Sequence, residues 1–256
     1  MNFGLYASYL GMRARQQRLD MLANNIANAS TSGFKADRLL YRSVAASEND
    51  PVQTQTVQEG DAQLTPVKRG VDVGVVTSQA TDFSQGSVRD TGRALDVSLE
   101  GDGFLCVQTA RGERYTRQGS LTLDQSGQLV TPQGDLVVGD GGPITIPPGE
   151  VSIGVDGTVS SNGQIAGKLK IVEFANPNQA LTKEGASLFA ATGKEKAVEA
   201  SNTRVVQGSL EMSNVNSLVE MVAMMQNTRE FESMQRSVSM LMNDIGRTIS
   251  SELGKL

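Results

Sequence analysis

The chain has 256 residues with 23 basic and 28 acidic side chains, no histidine, no tryptophan and a single cysteine. That length can hold one large domain or two smaller ones, and the mildly acidic balance argues against a dedicated nucleic-acid binder. Without histidine the commonest general base and metal ligand are both missing, and Cys106 alone supports neither a disulfide framework nor a cysteine-based zinc site.

The first predicted element is a helix from near Phe3 to about Asn28. Leu5, Tyr9, Met12, Leu19, Ala23 and Ile26 fall on one face, with Leu22 beside it, and such a seam must be covered by something. Arg13, Arg15, Gln16, Gln17 and Arg18 interrupt the apolar residues, so the segment does not read as a secretory signal. A mitochondrial presequence is the competing reading, since no acid precedes Asp20, but it needs no matching stripe at the far end of the chain. The helix is expected to stop in Asn28-Ala29-Ser30-Thr31-Ser32-Gly33, residues that favour caps and turns. Asn24 and Asn28, four apart on one face, either terminate the helix or hydrogen-bond an adjoining chain and fix its register.

Residues 34–77 are polar with few large apolar side chains and read as an extended linker, with a strand-like alternation only around Val71 to Val76. From Thr81 to about Phe174 the period changes to two. Leu95, Val97 and Leu99 alternate, and Phe104-Leu105-Cys106-Val107 forms a short buried run. Turn pairs recur at Arg111-Gly112, Ser126-Gly127, Gln133-Gly134, Asp156-Gly157 and Asn162-Gly163. Short strands with glycine turns at regular intervals predict an antiparallel domain built of hairpins. After an irregular stretch with a strand at Ser187-Leu188-Phe189, a last helix begins near Ser213 or Asn216 and runs to about Leu253. Its stripe includes Leu218, Met221, Met225, Phe231, Met234, Val238, Leu241, Ile245, Ile249 and Leu253. The fold class is therefore α+β. Residues 1–33 and 208–256 supply helices paired in a coiled-coil-like helical domain, 34–77 a linker and 78–207 a central all-β domain.

No motif announces catalysis or a cofactor. Gly101-Asp102-Gly103 lacks the third glycine and following helix of a nucleotide loop and reads as a tight turn. Gly139-Asp140-Gly141-Gly142 has one carboxylate, too few for calcium. Cys106 sits in an apolar run and reads as a small buried hydrophobe. The methionines of the last helix, Met221, Met224, Met225, Met234, Met240 and Met242, suit either core filling or a surface that adapts to several neighbours. Acidic residues mixed with Arg229, Arg236 and Arg247 leave that helix without the basic face of a lipid-surface binder. An adhesin or carbohydrate binder would need an exposed aromatic platform, and an enzyme a converging polar pocket.

Two segments carry a resemblance. Leu22-Ala23-Asn24-Asn25-Ile26-Ala27-Asn28-Ala29-Ser30-Thr31-Ser32-Gly33-Phe34-Lys35 resembles the N-terminal signature of the bacterial flagellar rod and hook family. Gly208-Ser209-Leu210-Glu211-Met212-Ser213-Asn214-Val215-Asn216, with Glu220-Met221 and Arg229-Glu230-Phe231-Glu232, is similar to its C-terminal signature. Leu95 to Phe104 and Tyr115-Thr116-Arg117-Gln118-Gly119 resemble the β domain of its rod members. Gly142-Pro143-Ile144-Thr145-Ile146-Pro147 looks closest to proximal-rod members, with distal-rod members the near alternative. Met12-Arg13-Ala14-Arg15 departs from the family by being more basic.

The resemblance implies a structural subunit of the basal-body rod that spans the periplasm, exported by the flagellar apparatus without a cleavable signal. Its partners would be other copies and other rod proteins, with no nucleic acid, small-molecule substrate, cofactor or metal. The subunit interface is then expected at Leu5, Tyr9, Met12, Leu19, Asn24, Asn25, Ile26, Asn28, Phe34, Asn214, Asn216, Met221, Met225, Phe231, Met234, Val238, Leu241 and Ile245. Isolated helices of this kind are marginal in water, so both ends are expected to order on assembly.

Overall fold

The computed structural model describes residues 2–46, 56–57, 72–185, 187–200 and 202–253, of which 2–7, 41–46, 56–57, 72–77, 241, 244–245 and 248–253 are described as backbone only. The chain forms an N-terminal helix Asn2–Ala27 and a C-terminal helix Ser217–Leu253, with β structure between them. It divides into two compact units. One holds Met1–Ile26, Asp37–Ala80 and Ser217–Leu256, and the other holds Ala27–Ala36 and Thr81–Asn216.

The first unit contains both helices and a three-stranded sheet. The N-terminal helix ends where the sequence runs into turn-forming residues: Thr31 N–H donates to Asn28 O at 3.1 Å, and Gly33 takes φ 68°, a left-handed conformation that glycine adopts without a Cβ clash. The sheet is ordered Thr56–Val57, Asp37–Ala46, Asp72–Thr81. The extended-linker expectation for 34–77 therefore fails over Asp37–Ala46. That strand, DRLLYRSVAA, is rich in residues that suit a pleated surface but lacks the strict alternation that marks a half-buried strand. The linker residues 47–55 and 58–71 lie outside the described residues.

The second unit is built on a ten-stranded sheet. Its central strand Phe104–Thr109 pairs antiparallel with Gly112–Thr116 on one edge, and with Leu136–Gly139 and Ile171–Glu173 on the other. Gly112–Thr116 continues to Leu188–Ala191, which pairs with Leu181–Glu184. Phe104 and Cys106 enter one apolar cluster while Leu105 and Val107 enter the other. Successive side chains of a strand point to opposite faces, so a continuous apolar run means burial on both. The first cluster joins Leu121, Leu129, Val137, Ile144 and Val159. The second is aromatic: Phe104 meets Phe83, Phe174 and Phe189 at ring-centroid distances of 5.7, 6.1 and 5.9 Å.

A separate meander, Val151–Ile153, Thr158–Ser161 and Gln164–Lys168, closes through Asn162-Gly163, where both residues have positive φ (49° and 78°), the geometry tight hairpins favour. Two further antiparallel pairs, Arg204–Gln207 with Val97–Glu100 and Ser209–Glu211 with Val88–Asp90, keep residues up to 211 in the β unit. The expected boundary at 207/208 accordingly moves to Asn216, because Ser209–Glu211 forms a strand paired with Val88–Asp90 and the helix starts only at Ser217. The segment 27–36, expected with the helices, also belongs to the β unit.

Candidate functional site

Within the helical unit, Glu220, Met224, Phe231, Met234 and Val238 are half-buried and Asn227 is fully buried. Their steps of four and three make one continuous seam along the helix. The N-terminal helix meets this seam in opposite sense: a Cβ added at Gly11 would lie 3.0 Å from Met234 Cε, and Arg15 pairs with Glu230 at 2.6 Å. Asn227 Nδ2 donates to Arg15 O at 2.9 Å, and Arg15 Nη1 donates to Asn227 Oδ1 at 3.4 Å. A buried amide needs such partners, so this exchange holds one axial offset between the helices. The basic departure around Arg15 thus has a local use. Its ion pair with Glu230 is partly exposed and contributes little by itself.

Beside the seam lies an uncovered apolar strip. Leu218 is 71% exposed, Met225 56% and Met221 47%, and Val219, Val222, Met240 and Met242 are exposed as well. On the N-terminal helix Tyr9 is exposed, Met12, Leu19 and Ile26 are half-buried, and Leu22 rather than Ala23 is buried. Of the predicted stripes, Met12, Leu19, Ile26, Phe231, Met234 and Val238 are half-buried, whereas Tyr9, Ala23, Met221 and Met225 are exposed. Asn24 and Asn216 are exposed and Asn28 is half-buried. The side chains of Leu5, Leu241 and Ile245 lie outside the described residues.

Three predicted interface residues are occupied inside the chain instead. Asn25 donates from Nδ2 to Asp37 O at 2.9 Å and accepts from Asp37 N–H at 3.0 Å, stapling the strand start to the helix end. Phe34 has no exposed surface, and Lys183 Nζ stands 3.8 Å over its ring. Asn214 accepts from Ala36 N–H at 2.8 Å and donates to Asp82 O at 2.8 Å. Each satisfies local backbone groups or packs its ring within the chain.

Phe34 and Asn214 lie beside a buried polar junction in the β unit. Lys35 Nζ lies 2.6 Å from Glu211 Oε1 and donates to Ser84 O at 2.7 Å. Arg117 Nη1 approaches Glu211 Oε2 at 3.4 Å, and its guanidinium carbon lies 4.9 Å from the centre of the Phe104 ring. Gly86 N–H also donates to Glu211 Oε1, and Gly33 N–H donates to Glu211 O. All three charged residues are at most 3% exposed. Burial lowers the pKa of both Lys35 and Arg117 against the opposing pull of the Glu211 carboxylate. Neither Gly33 nor Gly86 has room for a side chain: a Cβ at Gly33 would sit 2.3 Å from the Arg117 carbonyl carbon, and one at Gly86 would meet Met212 O.

Glu211 is therefore the link between the end of the first signature segment and the start of the second, and Arg117 joins it from the middle of the chain. Sequence reasoning quoted Lys35, Arg117 and Glu211 inside motifs without assigning them a role. The only sequence signal was a basic or acidic residue embedded in each motif.

Elsewhere the β unit is packed. Cys106 is buried and burial pushes its thiol up to about 12. Among the described residues of this unit the aromatic rings are in the core or packed against it, so the platform of an adhesin is not there.

Comparisons with known proteins agree with the geometry at both ends. Residues 5–35 match the family described as flagella basal body rod protein, and 206–248 match the flagellar basal body rod FlgEFG protein C-terminal family. Residues 98–161 match the flagellar hook protein FlgE/F/G D1 domain. The chain is 34% identical to the flagellar basal-body rod protein FlgF of Caulobacter vibrioides, with all of both chains covered. It is 33% identical to FlgG of Bacillus subtilis over 92% of this chain and 93% of that one. Against FlgF of Escherichia coli the figures are 35%, 94% and 96%.

Proposed function

The chain belongs to the flagellar basal-body rod protein family, and from that premise we propose how its two units divide the work of a rod subunit. It is a structural component of the rod, and its partners are other rod components. The observation that carries the division of labour is the uncovered strip Leu218, Met221, Val222 and Met225, beside a seam already used within the chain.

The reading is that the terminal helices pair in coiled-coil fashion and use their outer faces against neighbouring subunits. The antiparallel contacts Gly11–Met234 and Arg15–Asn227 and the four-three spacing of the seam support the pairing. Half-buried Met12, Leu19, Ile26, Phe231, Met234 and Val238 then face mainly inward, while Tyr9, Asn24, Asn216, Met221 and Met225 are exposed. Contacts between unlike surfaces repeat head to tail and build an open helical array, as a shaft requires, where like-on-like contacts would close into a dimer. Removing several partly exposed large side chains from water in each contact supplies about 1.5–3 kcal/mol for every one fully buried.

In this reading the shaft crosses the periplasm, carries torque to the hook, and receives the subunit through the flagellar export apparatus without a cleaved signal. Placement among FlgF-type members is supported by the end-to-end match with the Caulobacter relative.

The test is incorporation. Deleting residues 1–30, or separately the last 40, in a strain lacking the native copy should abolish motility and leave the subunit out of isolated basal bodies. Rods of normal composition built from either truncated chain would refute the reading.

A further inference from the structure

Lys35 and Glu211 are 176 positions apart, yet each is the other's nearest opposite charge at 2.6 Å. The segment between Gly33 and Ala36 is held almost wholly by residues from far along the chain. Gly33 N–H donates to Glu211 O, Ala36 N–H to Asn214 Oδ1, and Lys35 O accepts from Lys183 Nζ at 2.7 Å. Nearer residues tie it through Ser84 O, which accepts from Lys35 Nζ, through Ala36 O, which accepts from Asp82 N–H, and through Thr31 O, which accepts from Phe34 N–H at 3.4 Å.

We propose that Glu211 is a closing latch: residues 33–36 lock into the β unit only when the strand Ser209–Glu211 has taken its place, and they can open as a local unit while the sheet stays folded. Two features make the opening local. Phe34, although it has no exposed surface, belongs to neither apolar cluster of the β unit. The strands Phe104–Thr109 and Gly112–Thr116 find all their partners among residues 104–191, none of them in the segment. Releasing 33–36 therefore strips no strand of its ladder.

The charge arithmetic sets the direction. Glu211 faces two buried cations, Lys35 and Arg117, and pairs with both; the carboxylates of Asp82 and Asp102 also act on Lys35 and Arg117 respectively, each more weakly than Glu211. Neutralising Glu211 leaves two like charges in a site that water does not reach, and an uncompensated buried charge is strongly unfavourable. Lys35 relieves this by leaving, and the backbone of 33–36 leaves with it. Arg117 stays, because Arg114–Glu184 and the ladder to Leu188–Ala191 hold the strand Gly112–Thr116 that directly precedes it. Losing Lys35 instead leaves Glu211 paired with Arg117, a milder perturbation. The latch also imposes an order on folding: the segment cannot be secured until a chain delivered from its N-terminus has emerged as far as Glu211.

Native-state hydrogen exchange on the full-length chain tests this. In E211Q the amides of Gly33 and Ala36 should exchange at least tenfold faster than in the unchanged protein. Those of Cys106 and Leu129, which donate to Lys170 O and Ile144 O, should change less than threefold. K35M should accelerate Gly33 and Ala36 less than E211Q does. In the unchanged protein, low denaturant should reveal an opening of Gly33 and Ala36 with a weaker denaturant dependence than that of Cys106 and Leu129. Unaltered protection at Gly33 and Ala36 in E211Q overturns the latch. So does equal acceleration of both amide sets, or a single shared opening in the unchanged protein should E211Q fail to fold.

Discussion

Cys106 lies on the central strand Phe104–Thr109 with no exposed surface, opposite Tyr115 across the hairpin. Burial, reinforced by the nearby Glu113 carboxylate, pushes its pKa from 9.0 up to about 12, and Tyr115 rises from 10.0 to about 12 for the same reasons. The folded chain therefore keeps protons that the unfolded chain releases earlier. Stability from these two groups is complete below pH 9 and is lost as pH climbs toward 12. Chemical denaturation between pH 8 and 11 should show a falling midpoint, and C106V with Y115F should flatten it. An identical alkaline slope in the double variant would assign the effect to other groups. The inert character of Cys106 was legible in the sequence, since a cysteine inside Phe-Leu-Cys-Val has apolar neighbours on both faces of any strand. The buried charges were not. A lysine or arginine is ordinarily read as surface, and only a partner at distance, 176 positions from Lys35 and 94 from Arg117, makes burial affordable.

At the scale of elements, the two terminal helices and the hairpin pattern were legible because their periods, 3.6 and 2, extend over many residues. The helix faces were less so. Ala23 and Met221 fit a generic apolar stripe, but the seam that forms follows Leu22 and the positions Met224, Asn227, Phe231 and Met234, one of which is polar. Asparagine in an apolar run reads as a breaker or a surface residue until its partner is known. Here the partner is Arg15, whose carbonyl and guanidinium both engage the amide. Truncating it in N227A leaves the Arg15 groups without their buried partner and should cost about 1–3 kcal/mol. N227L should lose less stability, but it removes the group that fixes one axial offset between the helices. A cysteine pair introduced at Gly11 and Met234 should cross-link efficiently in the unchanged background and less completely in N227L. Equal cross-linking in both would show that apolar packing alone sets the offset. The strand Asp37–Ala46 escaped sequence reading for a related reason: its partners are Thr56–Val57 and a strand that begins only at Asp72, and no local pattern records such pairing.

For the whole molecule, the proposed reading has folding and assembly draw on different apolar residues, and this separation can be tested. The β unit hides its aromatic rings, while the C-terminal helix leaves Leu218 71% and Met225 56% exposed. Substitutions at such open positions usually alter folding stability by no more than about 0.5 kcal/mol. In a shaft, the same side chains would be removed from water against a neighbour, where a carboxylate is far more costly. L218E and M225E should therefore unfold at the temperature of the unchanged protein, yet fail to enter the rod and fail to restore swimming to a strain lacking the native gene. Seam variants should behave in the opposite order, losing folding stability first, because Asn227 and Met234 are already committed within one chain. If L218E and M225E build normal rods, the strip is not the assembly surface and the outward contacts must come from the other faces of the helices. If instead both variants melt early, Leu218 and Met225 are buried within a single chain in solution, and the division between an inner seam and an outer contact face is lost.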